Sequence, residues 1–308
     1  MADRKIPPDW HYVSERQSEL WRSVAAVHAP SGEDEDPVAQ AYQEMFEETA
    51  AELSGNKIHL VGLGAGSGQK ERRFAQAIKT AGCAVDFTAV DVSEALASEA
   101  VRQLAEMIDG NTEVLVGDLR QAEILSRRLS ESASERRPVF TGFGLSPNML
   151  PNEFFGSVRR LLGAGKRGNG IALVSANLWP SGSDAERDLL RQYDNDETRQ
   201  WLGQLFVEWG LAGEDFPKLE FGIGEVDGIA TVQVFATWPD LGDAILYAAP
   251  LLVKDWKSGD RIEVFSSLRY RSDQFAECAK IAGMQVQGFR SSSCGREAIF
   301  SLVESDRH

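Results

Sequence analysis

The chain has 308 residues, and 47 acidic against 32 basic ones leave a formal charge of −15. That balance argues against a nucleic-acid backbone as partner, because such binding rests on clustered Lys and Arg that release counterions. With 43% apolar and 26% charged residues the composition is that of a soluble globular protein, and no apolar run approaches the roughly 20 residues that a membrane span needs.

Helical spacing opens the chain, over 14–27 and again over 37–53. In the second stretch Val38, Ala41, Tyr42, Met45 and Phe46 form one apolar stripe. Between the two lies an acidic connector, Pro30 to Pro37, read as solvated. From Lys57 the texture changes to short apolar runs alternating with helical stretches. Strands are expected over 58–63, 85–90, 113–116, 139–143 and 171–176. Helices are expected over 70–80, 93–107, 119–129 and 151–162, with Ser93 as an N-cap. Five strands alternating with helices predict an α/β fold with a parallel, doubly wound sheet. One long helical stretch is then expected over 184–211, followed by strands over 230–238 and 262–268. A helix over 273–282 and two strands over 286–290 and 298–303 close the chain.

The residue inventory excludes several chemistries. Cys83, Cys278 and Cys294 are odd in number and far apart, so no disulfide framework is expected. The first residues, Met1-Ala2-Asp3-Arg4-Lys5, lack the apolar stretch of a secretory signal, and a cytoplasmic location is expected. The four histidines are scattered, with no Cys or carboxylate at ligand spacing, so no metal site is expected. There is no G-x-S-x-G and no Cys–His pairing to support a hydrolytic triad. The chemistry is therefore expected to come with a cofactor.

Its site is expected at Val61-Gly62-Leu63-Gly64-Ala65-Gly66-Ser67-Gly68-Gln69-Lys70, between the first strand of the alternation and its helix. Glycines at this turn let a ligand approach the backbone, and the helix behind them offers free N–H groups. A dinucleotide calls for G-x-G-x-x-G. That pattern fails here, with Ser67 or Gln69 in its last place, and G-x-G-x-G suits S-adenosylmethionine, which has no pyrophosphate to seat. Asp91, at the end of the second strand, is suited to accept both ribose hydroxyls. Asp118, after the third, is placed to meet the adenine amino group. A turn or helix-cap role is the competing reading for each.

These residues together resemble the histidine-specific Nα-methyltransferases of ergothioneine biosynthesis, a family that includes fungal tryptophan-derivative N-methyltransferases. Phe140-Thr141-Gly142-Phe143-Gly144-Leu145-Ser146-Pro147-Asn148 resembles its glycine-rich loop after the fourth strand. Gln192-Tyr193-Asp194-Asn195 resembles a helix motif, and Ile262-Glu263-Val264-Phe265 its Glu-x-Ser strand. The resemblance implies a Rossmann-like class I methyltransferase sheet whose last strand runs antiparallel. It implies that Gly62, Gly64, Gly66, Lys70, Asp91 and Asp118 contact S-adenosylmethionine, and that Asn148 and Tyr193 hold the carboxylate of an α-amino acid. Glu263 and Phe265 would face the side chain of that substrate, and Asp194 is a candidate proton acceptor. Two departures bear on specificity. The expected Glu-x-Ser hydroxyl is replaced by Phe265, and the expected N-terminal Pro-Glu-Tyr-Tyr reads His28-Ala29-Pro30-Ser31. A site that loses hydrogen-bond partners for a polar ring loses much of its preference for that ring.

The expected architecture is a methyltransferase domain over 56–180 and 266–308, with a substrate-binding domain over 1–55 and 181–265. The function expected is N-methylation of an α-amino acid or a derivative, a small-molecule partner with no nucleic acid or membrane. The alternatives are O- or N-methylation in secondary metabolism without an amino-acid carboxylate, and a non-catalytic S-adenosylmethionine-binding scaffold. A nicotinamide-dependent oxidoreductase is disfavoured by the failed dinucleotide pattern.

Overall fold

The computed structural model describes residues 4–28, 36–132, 136–163, 170–182, 184–213, 216–240, 253 and 256–305. The chain begins with strand β1 (Arg4–Lys5) and helices α1 (Glu15–His28) and α2 (Pro37–Glu52). An alternating series follows: β2 (Lys57–Leu63), α3 (Gln69–Thr80), β3 (Ala84–Asp91), α4 (Glu94–Leu104), β4 (Thr112–Val116), α5 (Ala122–Ser132), β5 (Arg137–Gly142), α6 (Pro151–Gly163) and β6 (Ile171–Asn177). Then come α7 (Ala185–Tyr193), α8 (Asp196–Glu208), β7 (Leu219–Val226), β8 (Ile229–Thr237) and β9 (Arg261–Arg269). Helix α9 (Ser272–Ile281) and strands β10 (Met284–Ser291) and β11 (Glu297–Glu304) complete it. No helix among the described residues is long and apolar enough to cross a membrane.

These elements form two compact units, one of Met1–Ala29 with Pro180–Leu268 and one of Pro30–Trp179 with Arg269–His308. The larger unit holds a seven-stranded sheet of order β10-β11-β6-β5-β2-β3-β4. Strands β2 to β6 pair parallel, while β11 runs antiparallel to β6 and to β10. This is the expected α/β class, with the antiparallel closure in place. Strands β2, β3 and β6 are buried almost throughout, as both faces of a parallel sheet are covered by crossover helices. The strand order reverses beside β2, which has β3 on one side and β5 on the other. Such a switch point opens a ligand crevice at the carboxyl ends of the strands.

Helix α2 groups with the sheet, although the sequence reading set residues 1–55 apart with the second domain. Its stripe of Tyr42, Met45 and Phe46 enters the same core as Ile58, Leu60, Phe74 and Phe87. A stripe tells that a helix is buried but not against what. The described part of the smaller unit is a four-stranded sheet of order β1-β9-β8-β7 with helices α1, α7 and α8. Its core gathers Leu20, Val24, Trp201, Phe206, Trp209, Val234 and Val264. The single helix expected over 184–211 is broken: Asp194 ends α7 with ψ 75°, and the Asn195 side chain caps α8 by accepting from the Thr198 N–H at 2.9 Å. Strands β1 and β7 were not expected.

Candidate active site

Strand β2 delivers the chain to the switch point, where Gly64 N–H donates to the Val90 carbonyl at 2.7 Å. The loop then turns through Gly64, Gly66 and Gly68 with φ of 58°, 54° and 79°. A Cβ at Gly64 would stand 2.5 Å from the Leu145 side chain, and one at Gly68 would stand 2.8 Å from the Ala100 backbone. Both the backbone angle and the close approach therefore require glycine at these two positions. At Gly66 a Cβ would meet nothing within 4 Å, so the loop backbone borders open space there. Gly68 starts α3 without a capping side chain of its own, a kind of helix start that can present N–H groups to a ligand.

Asp91 closes β3 and is buried. Its Oδ2 accepts from Gly66 N–H at 3.0 Å and its Oδ1 from Ser93 N–H at 2.9 Å. Burial raises its pKa, opposed by those backbone donors. Inside β2, Gly62 has no side chain, and Glu71 of α3 lies where its Cβ would point, with Cγ at 3.1 Å. Glu71 is buried, accepts from the Thr141 hydroxyl at 3.0 Å, and is pushed up to about 7 by desolvation.

Lys70 does not stand alone. Its ammonium donates to the Tyr42 hydroxyl at 3.0 Å, lies 3.6 Å from Glu297 and sits over the Tyr42 ring. Asp118 accepts from Arg120 N–H at 2.8 Å and pairs with its guanidinium at 2.7 Å, so its carboxylate caps the short 3-10 turn that follows. That is the competing reading of this position made visible. In the loop after β5, Gly144 N–H donates to Ser175 Oγ at 3.0 Å and the Asn148 amide donates to Gly144 O at 3.2 Å. The structure thus gathers Gly62, Gly64, Gly66 and Asp91 at one turn, with Lys70 in the first turn of α3.

The smaller unit holds the other expected residues. Tyr193 ends α7, and its hydroxyl bonds Ser267 Oγ at 3.0 Å while its ring lies 6.1 Å from Phe265. Phe265 in turn meets Trp201 at 5.6 Å, beside Tyr12 and Trp21. Ser267 follows Phe265 by two residues and so shares its face of β9. A hydroxyl therefore does stand on this face, two residues beyond the place where it was sought. The period of the strand was the signal that would have found it. Glu263, of the same parity, is ion-paired with Lys5 at 2.7 Å and accepts from Gln233 at 3.3 Å. Asp194 is taken up by Arg199 at 2.6 Å. Tyr42, Glu71 and Glu297 were also missed, because their partners come from distant segments.

A family model described as histidine-specific methyltransferase, SAM-dependent, matches residues 4–199. The chain belongs to this family. The protein is an S-adenosylmethionine-dependent methyltransferase, and the site fits that cofactor: an open-faced glycine turn, a helix start with glycine at its N-cap and a carboxylate oriented by two backbone donors. No curated protein matches the chain by sequence. Among solved structures, Burkholderia thailandensis 1,6-didemethyltoxoflavin-N1-methyltransferase with bound 1,6-didemethyltoxoflavin and S-adenosylhomocysteine is 11% identical. The match covers 98% of this chain and 91% of that one, with a TM-score of 0.45. The mitomycin 7-O-methyltransferase MmcR is 16% identical over 96% of this chain and 68% of that one, with a TM-score of 0.44. The glycopeptide N-methyltransferase MtfA complexed with S-adenosyl-L-methionine is 16% identical over 85% and 93%, with a TM-score of 0.38.

Proposed function

We propose that this methyltransferase acts on the amino group of an α-amino acid or a close derivative. The observation that carries the reading is Tyr193. Its hydroxyl is held by Ser267 at 3.0 Å and its ring lies beside Phe265, so it is an oriented polar group rather than a core filler. Asn148, at the loop after β5, is the second residue assigned to the substrate carboxylate. Gly62, Gly64, Gly66, Asp91 and Lys70 are assigned to the cofactor. Asp118 is assigned to the adenine end with its carboxylate shared with Arg120.

S-adenosylmethionine, when bound, supplies an electrophilic methyl group on a sulfonium. The protein's part is to hold a neutral amine in line with it, about 3 Å from the methyl carbon, which is a proximity effect. Tyr193 is assigned to the acceptor's carboxylate, and Phe265 beside it offers an aromatic face to the ammonium that forms. Asp194 is engaged by Arg199 and is left out of the proton path, so the amine releases its proton to solvent before attack. Glu263 is bound to Lys5 and Gln233, which gives the acceptor's side chain a neutralised carboxylate to face.

The test is incubation with methyl-labelled S-adenosylmethionine and the twenty amino acids, read by mass spectrometry. A labelled amino acid identifies the acceptor, and its mass counts the methyl groups. Tyr193→Phe should then raise the acceptor's KM about tenfold, the size of one hydrogen bond to a charged group, with S-adenosylhomocysteine binding unchanged. An enzyme that binds S-adenosylhomocysteine but labels no amino acid, and instead methylates compounds without a carboxylate, overturns the proposal.

A further inference from the structure

A polar cluster behind the glycine turn joins four elements of the sheet unit. The Tyr42 hydroxyl of α2 donates to Glu297 Oε1 at the start of β11. It accepts from Lys70 Nζ of α3 at 3.0 Å, and Ser175 of β6 lies beside it. Ser175 Oγ accepts in turn from Gly144 N–H. The proton directions follow: Lys70 donates to the Tyr42 oxygen, and Tyr42 donates on to the carboxylate. Tyr42 is 1% exposed, and burial with the neighbouring Glu297 charge keeps its proton on.

The lysine and the glutamate do not form a close pair. Their separation is 3.6 Å, against about 2.8 Å for a direct charge-assisted bond. The Tyr42 oxygen stands nearer to the ammonium than the carboxylate does. The Glu297 side chain is 6% exposed, so a direct pair would be weakly screened and would hold the ammonium firmly. The Lys70 side chain keeps 26% exposure and lies in the first turn of α3, whose N-cap residue Gly68 has no side chain.

We propose that Tyr42 is a positioning residue whose hydroxyl keeps the Lys70 ammonium out of a close ion pair with Glu297, leaving it available to the carboxylate of the amino-acid tail of S-adenosylmethionine. The proposal rests on the assignment of Lys70 to the cofactor, and the experiment separates the two. Dissociation constants are measured by calorimetry for S-adenosylhomocysteine, which carries the tail, and for methylthioadenosine, which lacks it. Tyr42→Phe lets Lys70 close on Glu297 and weakens S-adenosylhomocysteine about tenfold, the worth of one bond to a charged group. Methylthioadenosine binding stays unchanged and shows that the variant is folded. Adding Glu297→Gln to Tyr42→Phe removes the competing charge and restores most of the lost affinity, a rescue that a packing role would not give. Glu297→Gln alone keeps or strengthens S-adenosylhomocysteine binding.

If Lys70→Met leaves S-adenosylhomocysteine binding intact, the Lys70 assignment fails and the proposal falls with it. If Lys70→Met weakens it but Tyr42→Phe does not, the positioning role alone is refuted. Equal loss of both ligands in Tyr42→Phe, absence of rescue in the double variant, or weakened binding in Glu297→Gln also refutes it.

Discussion

Replacing Glu71 by Gln keeps the side chain's shape and its acceptor for the Thr141 hydroxyl while removing the ionisable group. Glu71 is 3% exposed, beside the glycine turn and behind Gly62. Desolvation dominates its titration and pushes it from 4.5 to about 7, with nearby Asp91 adding to the rise and Thr141 and Lys70 opposing it. The folded state therefore holds this proton more tightly than the unfolded chain. The resulting stabilisation is complete below the unfolded value of 4.5 and is lost as pH rises through about 7. A rise of that size corresponds to about 3 kcal/mol in full, of which about 2.5 kcal/mol falls between about pH 5 and pH 8. Urea unfolding of both proteins across that range reads it directly. The unfolding free energy of Glu71→Gln relative to the parent should climb by about 2.5 kcal/mol from the acid to the alkaline end. Comparing the trend rather than one pH cancels any constant packing difference. A flat difference across the range would mean that Glu71 is already ionised in the fold, and the desolvation argument would be refuted.

The opposite sign is expected at His11, whose ring is buried against Trp201 with Nε2 donating to Val264 O and whose pKa burial lowers to about 4. The stability it confers is present above pH 6.5 and lost as pH falls to about 4, so His11→Gln should flatten the acid limb of the unfolding curve by up to about 3 kcal/mol. An acid limb as steep as the parent's would place that limb elsewhere. Gly64→Ala forces a side chain to φ 58° and into Leu145. It should cost at least about 1 kcal/mol of stability and abolish calorimetric binding of S-adenosylhomocysteine. Retained binding would show that the turn tolerates rearrangement.

Much of the fold was legible because local signals agreed with tertiary burial. The alternation from Lys57 to Ala176, the glycine turn and the closing helix and hairpin stand close to where periodicity placed them. Runs such as Ile58 to Leu63 and Ile171 to Ala176 are apolar on both faces, and only a covered parallel strand buries both. The break at Asp194 and Asn195 was legible too, since Asn is a favoured N-cap, but the apolar stripe on both sides of it concealed the cap.

The order of residues in the chain determined by itself the glycine turn and the helix start behind it, because those depend on neighbours a few residues away, while the strand alternation only implied that Asp91, 25 residues on from Gly66, would reach the same end of the sheet. What the turn rests on was decided only by the tertiary structure. Glu71 meets Thr141, Lys70 meets Tyr42 and Glu297, and Tyr193 meets Ser267, each through residues brought from remote segments. Burial raises the pKa of Glu71 and lowers that of His11, and it is a property of the packed layers that no window of sequence contains.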